Sequence, residues 1–182
     1  MPVNTRSKII LITQLLIHLV IIPILIILLG LFIDEVLGLP NILKDFLLLR
    51  AALSITFLLI GGYLAVDSNI HLWKVGKGYA WGDVSENCET KVLVTTGPYK
   101  YMRNPMILGY TLLISAVGLI AGSVSTAIII PLLNLISESI WIKIVEEPKL
   151  EKRFGEEYLN YKKRVPFLLL YPRRRVRSRS RE

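Results

Sequence analysis

Cysteine is nearly missing from these 182 residues: Cys88 stands alone, so no intramolecular disulfide can form. One cysteine with two histidines, His18 and His71, is also too few for a zinc site, and no metal is expected. Acidic residues are scarce beside basic ones, 14 against 22, for a net charge of +8. Much of that excess lies in the last ten residues, "RRRVRSRSRE", which hold Arg173, Arg174, Arg175, Arg177, Arg179 and Arg181. No folded basic domain accompanies this tail, so nucleic acid is not an expected partner. It reads either as a solvated segment that helps fix topology or as an attraction to anionic lipid headgroups. The N-terminal apolar run lacks the small-residue cleavage site of a signal peptide and is too long for one. No internal repeat is evident.

Apolar residues are abundant instead, at 53% with a mean hydropathy of +0.53. About 18 apolar residues suffice to cross a bilayer as a helix. Four such segments can be drawn: Ile9 to Phe32, Phe46 to Val66, Met106 to Ala121 and Val124 to Val145. The third is short for a full span and is expected to be tilted, locally thinned or partly re-entrant. Only Gly122 and Ser123 separate it from the fourth, which suits a tight helical hairpin. The loop after the first span has no basic excess. The N-terminus (Arg6, Lys8), the loop after the second span (Lys74, Lys77, Lys91, Lys100, Arg103) and the tail are all basic. Four spans put these three on one side, expected to be cytoplasmic. The expected fold is therefore an all-α, multi-pass integral membrane protein of about four transmembrane helices.

The second loop opens with "WKVGKGYAWGD", whose Gly76, Gly78 and Gly82 suit turns, and "KVLV" reads as a short β-type run. Pro98 and Pro105 restrict the chain at both ends of the stretch between them. After Glu146, Leu150, Phe154, Tyr158 and Tyr161 recur at helical spacing, which predicts one amphipathic helix with Pro148 in its first turn and Pro166 past its end.

Several polar residues have two readings. Glu146 and Glu147 either stop a membrane span as an interfacial charge pair or hold a cationic or hydroxylated ligand. Glu138 lies deeper, where a carboxylate is costly and suggests function; pairing with Asn134 or Ser137, or an interfacial position, explains it as well. Arg103 is either an interfacial anchor or a fork for a carboxylate or phosphate. Tyr99 and Tyr101 are interfacial aromatics or stacking platforms. His18, His71, Trp73, Trp81 and Trp141 read as packing or interface residues. Small residues Gly109, Ser115, Gly118 and Gly122 favour close helix contact.

The segments "LVTTGPYKYMRNP" (93–105) and "EEPKLEKRFGEEYLNYKKRVP" (146–166), with Gly109 between them, resemble the isoprenylcysteine carboxyl methyltransferase family, which is related to phospholipid N-methyltransferases. The likeness runs from about Lys91 to Pro166. The resemblance implies a membrane-embedded enzyme that uses S-adenosylmethionine without a soluble nucleotide-binding domain, with the loop and the C-terminal amphipathic helix forming the cofactor site. Its acceptor would be lipophilic and enter from the bilayer: the carboxylate of a C-terminal isoprenylcysteine or, alternatively, the ethanolamine amine of a phospholipid. Leu93, Val94, Tyr99, Asn104, Pro105, Met106 and Ile107 would line the cofactor pocket, and Glu146 would bind the cofactor directly. Arg103 and Glu147 join this set because the donor's methionine end presents a carboxylate and an ammonium; Arg103 and Glu146 are the expected catalytic pair.

The family also has differences from this chain. Its eukaryotic members read Arg-His-Pro-x-Tyr where this chain has Arg103, Asn104, Pro105, Met106 and Ile107; many prokaryotic relatives read Arg-Asn-Pro, which points to that branch. Ile142 stands where the eukaryotic enzymes place an arginine for the prenylcysteine carboxylate, and Lys143 projects about 100° away on a helix. On this reading the chain divides into two N-terminal spans (1–66), a catalytic region with the hairpin (67–172) and a basic tail (173–182). Two other readings compete: a sterol-reductase relative using NADPH, for which the chain is short, and a non-catalytic scaffold or carrier of the same fold.

Overall fold

The computed structural model describes Thr13, residues 16–78 and residues 89–168. The start of the first expected span, the side chain of His18, Trp81, Gly82, Cys88 and the arginine-rich tail lie outside the described residues. Among those described there is no strand, and the elements are helices: α1 (Ile22–Leu37), α2 (Leu47–Lys74), α3 (Pro105–Ala121), α4 (Ser125–Phe154) and α5 (Glu156–Arg164). The expected β-type run at Lys91 to Val94 forms no strand, and Lys91 and Val92 lie in a bend. Its backbone bonds instead to the end of α2: Lys91 N donates to Gly76 O at 2.7 Å.

Three prolines shape these helices in the same way. Pro23, Pro131 and Pro148 each follow, by two residues, the end of a π turn: Ile17–Ile21, Ser125–Ile129 and Ile142–Glu146. Proline lacks an N–H and its ring crowds the carbonyl four residues back. The turn before it widens, and the N–H groups of Ile22 and Ile130 reach back five residues, to the carbonyls of Ile17 and Ser125. Each widening adds one residue, turning the remainder of the helix by roughly 100° relative to an unbroken one.

The boundaries differ from the sequence expectation for physical reasons. The first span was expected to stop at Phe32, but α1 runs on to Leu37, where Gly38 adopts φ 62° and caps it. The second extends past Val66 to Lys74, 28 residues or about 42 Å of helix, more than the roughly 30 Å hydrocarbon core of a bilayer. The fourth was expected to end at Val145; α4 instead continues through Glu146 and Glu147 to Phe154, so the two acids do not stop it. The single amphipathic helix expected after Glu146 is broken at Gly155, with φ 53° and ψ −131°, and resumes as α5.

Of the four expected spans, α2 and α4 are long and apolar enough to cross a membrane; α3 is apolar but shorter, at 17 residues. Only 11% of the most apolar window of α2 or α4 is buried, so neither is the core helix of a soluble fold. Leu48, Leu59, Leu133 and Ile144 are among the many apolar side chains facing outward. In water each such side chain would forgo about 1.5–3 kcal/mol of burial; against lipid tails that penalty vanishes. The chain is a membrane protein.

The structure falls into two compact units. The first holds the residues up to Ala65 and Ile107–Ile144. Its helices meet through small residues: Gly109 would place a Cβ 3.0 Å from Ala65 N, and one on Gly118 would collide with the backbone of Ala127. Asp34 Oδ1 accepts the N–H of Ser125 at 2.8 Å and so caps the start of α4. The second unit holds Val66–Met106 and the chain from Val145 onward, and contains the candidate site.

Candidate functional site

The last turns of α2 supply a polar end to an otherwise apolar helix. His71 Nδ1 lies 2.8 Å from the carbonyl of Asp67 and 3.2 Å from its carboxylate. The other side of the His71 ring packs on Gly97, where any Cβ would collide with it. Gly97 takes φ 58°, opening the 3-10 turn Gly97–Lys100. Pro98 sits at the start of that turn, where its missing N–H is not needed, and both Pro98 and Tyr99 are buried. The sequence left His71 as a packing or interface residue; it packs on Gly97, which begins the motif.

From this turn the chain passes to Arg103, whose side chain is only 10% exposed. Its Nη2 meets Glu147 Oε1 at 2.7 Å, and Nη1 donates to the carbonyls of Lys162 at 2.9 Å and Val165 at 3.2 Å. The guanidinium lies 5.7 Å from the centroid of the Phe167 ring. Arg103 N also donates to Pro166 O at 2.9 Å, and Asn104 Nδ2 to Phe167 O at 3.2 Å. The "MRNP" stretch and the chain after α5 are therefore bound together by backbone and side chain. The Nε of Arg103 stays buried without a partner.

Glu147 is 3% exposed, and its second oxygen takes the ammonium of Lys162 at 2.5 Å. Lys162 bonds Glu151 at 2.9 Å as well, and these two carboxylates raise its pKa above the ordinary lysine value. Two cations and two carboxylates thus form one network across α4, α5 and the 101–105 segment. With the helical register shifted by the π turn Ile142–Glu146, Glu147 becomes the buried acid and Glu146 stays half-buried.

Three buried tyrosines border the network. Tyr161 donates its hydroxyl to Tyr99 O at 2.7 Å, and the rings of Tyr158 and Tyr161 sit 6.2 Å apart. Burial pushes the Tyr99 hydroxyl far above its ordinary pKa, with Tyr161 and the charge of Glu146 adding to the rise. Tyr158 is raised by burial and by Glu147, partly countered by Arg103; Tyr161 by burial and Tyr158. All three are neutral donors at any working pH. Ser68, also in this unit, is fully buried, and its hydroxyl faces that of Tyr99 and counters part of the rise.

Of the residues singled out from sequence, Arg103 and Glu147 pair directly, and Glu146 faces Tyr99 closely enough to act on its titration. Asn104 anchors backbone, and Pro105 is fully buried at the start of α3. Val94 is buried against Gly76; Leu93 and Met106 are half-buried and add apolar surface. Ile107 is buried but belongs to the other unit. Tyr101 is exposed, with Lys100 Nζ 5.9 Å from its ring centroid. Glu138 is exposed, and the hydroxyl of Ser137 bonds the backbone of Asn134 rather than Glu138. Sequence reasoning missed Lys162 and Glu151. The signal was present: two like charges one helical turn apart, Glu147 and Glu151, repel unless a cation joins them.

The donor set suits a zwitterionic ligand with an additional cationic centre. By charge and surface, Glu146 could hold an ammonium or sulfonium, the Arg103 Nε a carboxylate, and Val94, Leu93 and Tyr99 a flat ring. Residues 49–157, more than half of the chain, match the family model described as phospholipid methyltransferase. The match takes in the Gly97–Pro105 segment and the Glu146–Glu147 pair. No curated protein and no solved structure matches the chain.

Proposed function

The chain belongs to the phospholipid methyltransferase family, and from that premise we propose that it is an S-adenosylmethionine-dependent enzyme that methylates a lipophilic acceptor at the membrane surface. Carrying this reading is the Arg103–Glu147 ion pair, which joins two segments 44 residues apart in sequence into one buried, charged site. S-adenosylmethionine, when bound, supplies an electrophilic methyl group on a sulfonium. Glu146 holds the cationic end of this donor, Arg103 its carboxylate through Nε, and Tyr99 with Leu93, Val94 and Met106 its adenine face. Asn104 and Pro105 complete the pocket wall proposed from sequence; Ile107 belongs to the other unit and is left out of it. Glu147 and Lys162 fix the guanidinium so that little order must be gained on binding.

The acceptor is a prenylcysteine carboxylate or a phospholipid amine. A carboxylate arrives ionised and needs no base. An amine must lose a proton, and the carboxylates of Glu138 and Glu146 are the candidate bases. The site faces the cytoplasm, and α1 to α4 all cross the bilayer.

Calorimetric titration of detergent-purified protein with S-adenosylhomocysteine, beside NADPH, tests the cofactor. Saturable binding of the first alone supports the reading. Binding of NADPH alone would make the chain a reductase, and binding of neither by folded protein would make it a scaffold. Methyl uptake from labelled donor into a prenylcysteine or into phosphatidylethanolamine then separates the two acceptors.

A further inference from the structure

Arg50 lies in the first turn of α2, one turn into an apolar helix, whereas the site residues Ser68 and His71 come from that helix's last turns. Its Nη1 bonds Asn41 Oδ1 at 3.0 Å. Asn41 is neutral, and among the described residues no carboxylate pairs with the guanidinium. An arginine near the end of a membrane helix reaches toward the headgroup level, where lipid phosphate is the available anion. Beside Arg50 runs an open groove of about 280 Å³, walled by Leu47, Ala51, Ser54, Ile55 and Leu58 of α2 and Ile120 of α3. Leu47, Ile55 and Ile120 are more than half exposed, so the groove opens on the lipid-facing side.

We propose that this groove is a binding site for one anionic phospholipid, with an acyl chain along the Leu47–Leu58 wall and the phosphate on Arg50. A single unpaired cation at the end of an apolar channel has the charge and shape of such a lipid in reverse. The channel volume suits part of one chain rather than a whole drug-sized ligand, for which sites of about 300–1,000 Å³ are usual. Guanidinium is the group that holds phosphate by paired N–H donors, and the two nitrogens not bonded to Asn41 are available for it. Preference for a net anionic headgroup follows because the site contributes one uncompensated positive charge. This site is independent of the reaction proposed above.

Delipidated protein in a neutral detergent is titrated with dioleoylphosphatidylglycerol or dioleoylphosphatidylcholine, and bound lipid is counted by native mass spectrometry. Wild-type protein should retain one phosphatidylglycerol in preference to phosphatidylcholine. Arg50→Gln should lower phosphatidylglycerol affinity about tenfold and abolish the preference, while Arg50→Lys keeps part of it. Ala51→Trp fills the channel from an exposed position and should remove both lipids, with helical circular dichroism unchanged. An unaltered preference in Arg50→Gln would overturn the assignment of the phosphate, and full retention in Ala51→Trp would overturn the groove. Equal wild-type affinity for the two lipids would overturn the proposal as a whole.

Discussion

The two compact units are held together by opposite means. In the unit built on Ile107–Ile144 and the residues up to Ala65, helices touch where side chains are absent: Gly118 on Ala127, Gly109 on the backbone of Gly61 and Ala65. In the unit built on Val66–Met106 and the chain after Val145, distant segments are joined by long side chains: Arg103 to Glu147, Lys162 to Glu147 and Glu151, Tyr161 to Tyr99. The difference follows from solvent. Lipid tails offer apolar side chains no reason to associate, so close backbone approach and van der Waals contact must do it. Where the chain leaves the apolar zone, charge networks with satisfied partners become affordable and specific, and they also leave behind the polar groups that a ligand can use.

The sharpest way to break this contrast is to remove Glu147. Glu147→Ala leaves Arg103 buried without its carboxylate and Lys162 with Glu151 alone, so unfolding in denaturant should lose about 3–5 kcal/mol. Far-UV circular dichroism of the detergent-solubilised protein measures it. A loss below about 1 kcal/mol, the usual worth of an exposed pair, would mean that charge does not hold this unit.

The same measurement on glycines tests the other unit. Gly118→Ala places a methyl against the Ala127 backbone and should cost about 1–3 kcal/mol. Gly62, in the same unit, has nothing within 4 Å of its would-be Cβ. Gly62→Ala should therefore be neutral or gain up to about 1 kcal/mol of helix propensity. Equal effects at the two glycines would remove close approach as the organising feature.

How much of this was visible in the sequence depends on the kind of force. Apolar runs announced α2, α3 and α4, because about twenty greasy residues have few other uses. The hairpin was visible in Gly122 and Ser123, and the sequence singled out the two segments that pair through Arg103 and Glu147. Helix ends were less legible. The first span was drawn only to Phe32, where the apolar run ends, yet Gly38 provides the left-handed cap that ends α1. The prolines were in plain sight, but a π turn before each is a backbone response with no side-chain signature. Gly155 lay inside a good amphipathic pattern, and periodicity cannot register a break that keeps Tyr158 and Tyr161 on the buried side. The spacing of Glu147 and Glu151 called for a cation, but that Lys162 supplies it depends on the fold after that break.

Within the charged unit, the roles of individual acids can be sharpened by affinity. Glu146→Gln should weaken S-adenosylhomocysteine binding about tenfold, since hydrogen bonds to charged groups are worth about 1.5–3 kcal/mol. Glu138→Gln, at an exposed position in the other unit, should leave it unchanged. Calorimetry reads both; equal or reversed effects would move the ligand away from Glu146.

The smallest expected effect tests whether Lys162 belongs to the network or merely rests on it. Its pKa is raised in the folded state by Glu147 and Glu151. A raised pKa means that the folded chain holds this proton more tightly than the unfolded one. The contribution is therefore complete below the ordinary value of 10.5 and is lost as pH climbs through the higher folded value. Because Lys162 is 36% exposed, screening by water limits the contribution to about 1 kcal/mol or less. Wild type should exceed Lys162→Met by that margin at pH 8, and the gap should close above the lysine range. Tyr99, Tyr158 and Tyr161, also raised, destabilise both proteins together at alkaline pH and cancel in the difference. A gap that is constant with pH would assign Lys162 to packing through its methylene stem, and the charged network would then end at Arg103 and Glu147.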